Sequence, residues 1–227
     1  MGKICNMKSS DFQKIEDYVK RFSEKDILLI EKKDPQYKAL ELLYGFLNDK
    51  ILFFRLVLIN SLLSYQLNMK GEKYWELFSD FFSTGKSLDD FPLFLKLHNY
   101  RILNAKLKRF QKVKNVIDSA IKSEEDIKSL ANDLKKFLDI IAISLNQKRD
   151  AKTVVFAVKM FIYAFRIAFC KDIFAPCGIM IPLDSRISKI SEDKDFWRKL
   201  EKETGIPLLH IDAVLWLSDN HRLFSEE

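Results

Sequence analysis

The sequence predicts an all-α protein, arranged as two helical lobes around a cleft. Three observations carry this. Glycine and proline are sparse, six and five among 227 residues, so the turn signals that separate strands are missing. Apolar residues recur at helical spacing through most of the chain. One stretch, Thr153 to Phe169 (TVVFAVKMFIYAFRIAF), holds only two charged residues, Lys159 and Arg166. A helix apolar almost all round is a helix buried on almost all sides. With 48% apolar residues the chain can build one large core or two small ones. No stretch reads as a linker between independent domains, so residues 1–227 are read as a single helical unit.

In chain order, Ser10 to Phe22 forms an amphipathic helix with Phe12, Ile15, Tyr18, Val19 and Phe22 on one face, and a short helix follows over Ser23 to Ile30. Asp34 as N-cap and Pro35 at the first helical position open a helix running to about Leu47. Ala39, Leu42, Leu43 and Phe46 are expected inside it. Gln36 lies in its first turn, either solvated or projecting past the helix end. Lys50 to Leu67 is strongly apolar, with Ser64 near its end placed to bond the preceding turn. Gly71 opens the next helix, with Tyr74, Leu77, Phe78, Phe81 and Phe82 inward and Trp75 on the flank. Leu88 to Leu97 reads as helix. Asn99 to Ile121 is a long basic helix with Ile102, Leu103, Leu107, Phe110, Val113 and Ile117 inside and a solvated cationic face. The acidic start Ser123-Glu124-Glu125-Asp126 begins a helix to about Leu145. A basic turn, Asn146 to Lys152, then leads into the apolar helix. This is the outline of a helix-hairpin-helix unit, over about 124–190.

On the apolar helix Lys152, Lys159 and Arg166 recur every seven residues, with Phe156 and Tyr163 on the same stripe. They outline an open seam suited to something anionic and flat. A lysine amine is a nucleophile only as the free base, and burial, nearby cations and a helix N-terminus favour that form. Lys152 follows Lys148 and Arg149 and precedes the apolar helix; from pattern alone a solvated lysine in a turn is the commoner reading. Further on, Asp184 caps a short helix, Asp193 to Thr204 forms another, and Pro207 opens the last, Leu208 to Ser218. There Asp212 and Trp216 are four apart and share a face.

The net charge of +6 allows a polyanionic partner without requiring one. Cys5, Cys170 and Cys177 make neither a disulfide framework nor a zinc pattern. His98, His210 and His221 are too scattered for a metal site, and no motif calls for a cofactor. The longest apolar run, about 51–67, is broken by Arg55, Asn60 and Ser64, and no signal peptide is visible. A non-secreted, cytoplasmic protein without a membrane span is expected.

Several separated motifs then fall together: Asp34-Pro35-Gln36-Tyr37; Ser64-Tyr65-Gln66-Leu67 with Gly71-Glu72 and Trp75; Lys152-Thr153-Val154-Val155-Phe156 with Lys159; Ile181-Pro182-Leu183-Asp184; and Glu203-Thr204-Gly205-Ile206-Pro207-Leu208-Leu209-His210-Ile211-Asp212 with Trp216. In these residues, which span 34–216, the chain resembles the archaeal GO glycosylase (AGOG) family, 8-oxoguanine DNA glycosylase/AP lyases of the helix-hairpin-helix superfamily. The resemblance implies Lys152 as nucleophile and Asp184 as catalytic carboxylate. It implies that Gln36, Ser64, Trp75, Phe156, Pro182, Asp212 and Trp216 line the pocket for the flipped base. Lys148, Arg149 and Lys159 are expected to contact the DNA. The turn Gln147 to Ala151 departs from the superfamily in lacking a glycine-rich L-P-G-V-G sequence, and the interval from Lys152 to Asp184 is longer than in most hairpin glycosylases.

The residue types suit that chemistry. A base inside a duplex must be flipped out to be reached, and aromatic faces such as Trp75 and Phe156 can hold it at roughly 1–3 kcal/mol per stacked base. Oxidised guanine differs from guanine by an N7–H donor, which the Gln36 side-chain oxygen can accept. The expected partner is DNA containing 8-oxoguanine, acted on by a monomeric, nucleoid-associated enzyme without a cofactor. Two other readings stand beside it: a related glycosylase for another damaged base, and a non-enzymatic helical DNA-binding protein.

Overall fold

The structure is a computed structural model and describes residues 9–217. Cys5 and His221 lie outside them. Among the described residues there are thirteen α-helices and no strand: α1 (Ser9–Val19), α2 (Glu24–Lys32), α3 (Pro35–Leu47), α4 (Lys50–Leu63), α5 (Gly71–Phe82), α6 (Phe91–His98), α7 (Leu103–Ala120), α8 (Glu124–Asn132), α9 (Leu134–Leu145), α10 (Lys152–Phe169), α11 (Ile187–Ile190), α12 (Lys194–Thr204) and α13 (Leu208–Leu217). A 3₁₀ turn at Leu88–Asp90 precedes α6. None of these helices is long and apolar enough to cross a membrane. The chain divides into two units: Lys33–Phe174, which is continuous, and a second made of the segments flanking it, up to Lys32 and from Ala175.

In the continuous unit α10 is the central element, packed along α4 and also against α3 and α9. Its near-total apolarity is the cause: Val154, Val155, Ala157, Val158 and every residue from Met160 to Ile162 are buried. The cationic stripe is not open along its length, as the seven-residue spacing had suggested. Lys159, Tyr163 and Arg166 are all buried. Arg166 turns both Nε and Nη2 onto the Ile173 carbonyl, at 3.1 and 2.7 Å, and so fastens the chain leaving α10.

Four further expectations change. On α3 the buried stripe is Gln36, Tyr37, Ala39, Leu40 and Leu43, whereas Leu42 and Phe46 are 71% and 56% exposed. α3 packs between α5, α10 and α4, and that three-sided packing selects a stripe one register away from the simplest apolar one. α4 ends at Leu63, because Ser64 turns the chain and the Tyr65 N–H bonds back to the Leu63 carbonyl. Ile102 is exposed and precedes α7 with a left-handed backbone. The helix expected over 124–145 is two, broken at Asp133, whose side chain accepts the Lys136 N–H and caps α9.

In the second unit α13 packs on α2, α12 and α1. Phe12 meets Phe196 edge-on at 5.2 Å. His210 is buried with Glu31: its Nε2 accepts the Ala175 N–H (2.8 Å), so the proton sits on Nδ1 and is donated to the Glu31 carboxylate (2.9 Å). One imidazole thereby ties α2, the start of the return segment and α13 together.

Candidate active site

The hairpin between α9 and α10 is shaped without glycine. Asn146 takes the left-handed conformation that ends α9, and the Gln147 N–H reaches back to the Ala142 carbonyl, closing the helix end. The Ala151 N–H bonds to the Lys148 carbonyl, and α10 begins at Lys152. Ala151 offers no side-chain cap. The turn is braced from α7 instead. Arg109 donates from Nε to the Leu62 carbonyl (3.2 Å) and from Nη2 to Gln147 Oε1 (2.9 Å) and Thr153 Oγ1 (3.4 Å). The Thr153 hydroxyl in turn donates to Gln147 Oε1 (3.3 Å). The Arg109 guanidinium also lies 5.4 Å from the Tyr65 ring centroid.

Lys152 itself is exposed rather than buried. Lys148 and Arg149 are exposed beside it, and Arg149 makes an ion pair with Asp139 at 2.7 Å. Lys159, expected at the DNA, is instead buried one face further in, its ammonium 3.9 Å from Asp34.

That contact belongs to a network around Gln36. Asp34 Oδ1 accepts the Gln36 N–H (2.9 Å) and caps α3, while Oδ2 accepts the Tyr163 hydroxyl (3.1 Å). The Gln36 side chain is buried, not solvated, and its Nε2 lies over the start of α5: a Cβ on Gly71 would stand 3.6 Å from it. Trp75 is buried and meets the half-buried Phe156 edge-on, with centroids 6.1 Å apart at 65°. Ser64 donates to the Ser61 carbonyl at 2.9 Å. Gln36, Ser64, Trp75, Phe156 and Lys152 therefore all belong to the continuous unit.

The remaining expected residues belong to the other unit. Asp184 Oδ1 accepts the N–H groups of Arg186 and Ile187, both at 2.8 Å, and so opens the turn into α11. Its Oδ2 takes the Arg186 Nε at 3.1 Å. Burial pushes the Asp184 carboxyl up, but the Ile187 amide and the Arg186 guanidinium and amide outweigh it and hold the carboxyl below the usual range. Arg186 also covers the Trp216 ring, 4.5 Å from its centroid. Pro182 is buried and its carbonyl accepts the Asp184 N–H at 2.7 Å; Asp212 is buried on α13. Arg186 was not singled out from the sequence, although its place two residues after a capping aspartate is a visible signal. Arg109 had no such signal within its own helix.

Comparison with known proteins places this architecture. The AGOG family of N-glycosylase/DNA lyases matches residues 16–222. This chain belongs to that family. An N-glycosylase/DNA lyase of Methanococcus maripaludis is 37% identical over 224 residues, covering 91% of this chain and 88% of its own. That of Thermococcus kodakarensis is 41% identical over 207 residues, covering 83% and 76%. Among solved structures, the 8-oxoguanine DNA glycosylase Pa-AGOG from Pyrobaculum aerophilum, in complex with 8-oxoguanosine, superposes with a TM-score of 0.82 at 25% identity, covering 96% of this chain and 94% of that one. The family is bifunctional: its members remove a base and cleave the DNA strand. The all-α hairpin fold expected from the sequence is the family's fold.

Proposed function

We propose that this chain excises 8-oxoguanine from DNA and then nicks the strand, with Lys152 as nucleophile. The observation that carries the reading is the likeness, over nearly the whole chain, to a glycosylase bound to 8-oxoguanosine. The buried Gln36 supports it, because a fixed side-chain oxygen is what separates an N7–H from a bare N7. In this reading the Lys152 amine bonds to C1′ as the C1′–N9 bond breaks, and the bonding pair leaves with the base. Asp184, held ionised by Arg186 and two amides, supports the positive charge that develops on the sugar. Opening of the sugar ring gives a Schiff base, and loss of the C2′ proton then expels the 3′ phosphate.

Trp75 and Phe156 take the faces of the base. They are in edge contact in this structure, so Phe156, the less buried of the two, swings aside to admit it. Ser64, Pro182, Asp212 and Trp216 supply the remaining base contacts. Lys148 and Arg149 hold phosphates, whereas Lys159 acts through Asp34 and not on the backbone of the DNA. The enzyme works as a monomer on nucleoid DNA; sedimentation velocity with and without a short duplex tests that state.

The deciding experiment is borohydride trapping on a duplex with one 8-oxoguanine. Wild-type protein is trapped during turnover. Lys152→Gln loses both trapping and base excision while still binding the lesion. Undiminished trapping in Lys152→Gln would move the nucleophile elsewhere, and equal cleavage of other damaged bases would remove the substrate assignment.

A further inference from the structure

Among the described residues the Lys152 amine has no hydrogen bond or ion pair. Its aim is therefore set by the backbone of the first turn of α10. That turn has no side-chain cap of its own, and the hairpin before it has no glycine among Asn146 to Ala151 to impose a tight geometry. What fixes it is the triangle of Arg109, Gln147 and Thr153, with Thr153 directly following Lys152. The third contact of Arg109 goes to the Leu62 carbonyl, one of the last-turn acceptors of α4 that no helical N–H can reach.

We propose that Arg109 is the positioning residue of the nucleophile: its guanidinium fork locks the hairpin and the first turn of α10 onto the end of α4, and so sets where the Lys152 amine points. The inference rests on Lys152 being the nucleophile. Its physical basis is the planar fork. One group meets three acceptors on three separate segments, and every acceptor is neutral: a carbonyl, an amide and a hydroxyl. A lysine carries a single point of charge and cannot span them. Stacking on Tyr65 restrains the plane further. Arg109 is half-buried and its Nε and Nη2 are committed within the protein, which sets it apart from the exposed Lys148. Misplacing a reacting group by one ångström can cost about 10²-fold in rate, so a loosened turn is expected to be felt in chemistry before it is felt in binding.

The test uses Arg109→Lys, Gln147→Ala and Thr153→Val in the full chain. The last two remove one partner each and keep the guanidinium that supports α4. Three quantities are read: lesion-DNA affinity, single-turnover excision of 8-oxoguanine, and borohydride trapping on a pre-formed abasic site. For Arg109→Lys, excision and abasic trapping fall together by about 10- to 100-fold while affinity and its salt dependence hold. Gln147→Ala and Thr153→Val follow in the same direction with smaller losses. Combined with Arg109→Lys, Thr153→Val adds little, since both break one network. A weakened affinity with a flatter salt slope would instead make Arg109 a phosphate contact. Loss of excision with intact abasic trapping would make it a support of the base pocket. Lower thermal stability with unchanged rates per folded molecule would leave it a role in folding alone. Each of these three results overturns the proposal. Trapping that survives in Lys152→Gln overturns the assignment of the nucleophile itself, and is read in a separate arm.

Discussion

One carboxylate, that of Asp34, caps α3, holds the Tyr163 hydroxyl and faces the Lys159 ammonium. The two substitutions at this position separate those roles. Asparagine caps a helix about as well as aspartate, while alanine gives up roughly 1 kcal/mol of capping. Either one removes the carboxylate that faces the buried Lys159 ammonium at 3.9 Å, and weakening a buried pair costs stability, up to about 3–5 kcal/mol. Asp34→Ala is therefore expected to be the less stable of two destabilised proteins in urea unfolding. In Asp34→Ala, which loses the acceptor of the Gln36 N–H, the preference for 8-oxoguanine over guanine should fall while abasic-site cleavage is spared. Lys106 makes a second test at this scale. It was read as part of a solvated face, yet it is buried, donating to both oxygens of Asn99 and to the Gln66 carbonyl. Burial and the charge of Arg101 push its ammonium down to about 8. Between that pH and the unfolded value of about 10.4 the unfolded chain keeps the proton and the folded one does not. The contribution of Lys106 to stability therefore rises with pH across this window. Urea titrations at both ends of the window should show the rise in wild type, and Lys106→Met should remove it. The sequence could not reveal this lysine as a core residue, since its partners come from the loops before α5 and α7.

At the scale of single elements, the hairpin sets how charge is presented to DNA. Lys148→Ala with Arg149→Ala should weaken binding and flatten the slope of affinity against salt by the number of phosphates released. Asp139 competes for Arg149 in the free protein. Asp139→Asn should therefore tighten binding, measured by fluorescence anisotropy at two salt concentrations; no change would mean that Arg149 keeps away from phosphate. Much of the element order was readable in advance. The capping signals at Asp34 and Ser123 are local chemistry and stand where expected. The apolar run of α10 announced its own burial. The break at Asp133 was missed because the apolar period runs on through it, and the exposure of Leu42 and Phe46 was missed because a helix does not record which neighbours will cover it. The stripe of Lys152, Lys159 and Arg166 was found correctly as a stripe. Its exposure was not legible, because that depends on Asp34 and the Ile173 carbonyl arriving from elsewhere.

At the scale of the molecule, motif order identified the family where single motifs could not, and it distributed the expected residues over both units: Lys152 and Gln36 in one, Asp184 and Asp212 in the other. The second unit depends on the buried hydrogen bond from His210 to Glu31. Glu31→Ala removes a charged acceptor and leaves Nδ1–H buried without it, for an expected loss of about 2–3 kcal/mol. Near-ultraviolet circular dichroism, which reports Trp197 and Trp216 in that unit, should follow the loss. A signal change confined to the transition of Trp75 would contradict it. The division of the chain also sets an order in time. A ribosome emits the continuous unit as one uninterrupted segment, so its core can close as soon as Phe174 has cleared the exit tunnel. Among the described residues α1 and α2 pack chiefly on α12 and α13, which are made only after that unit. For the length of that synthesis the faces that α12 and α13 cover stay open to water and to chaperones. Nascent chains arrested before Ala175 should therefore carry a protease-resistant middle and a digestible beginning.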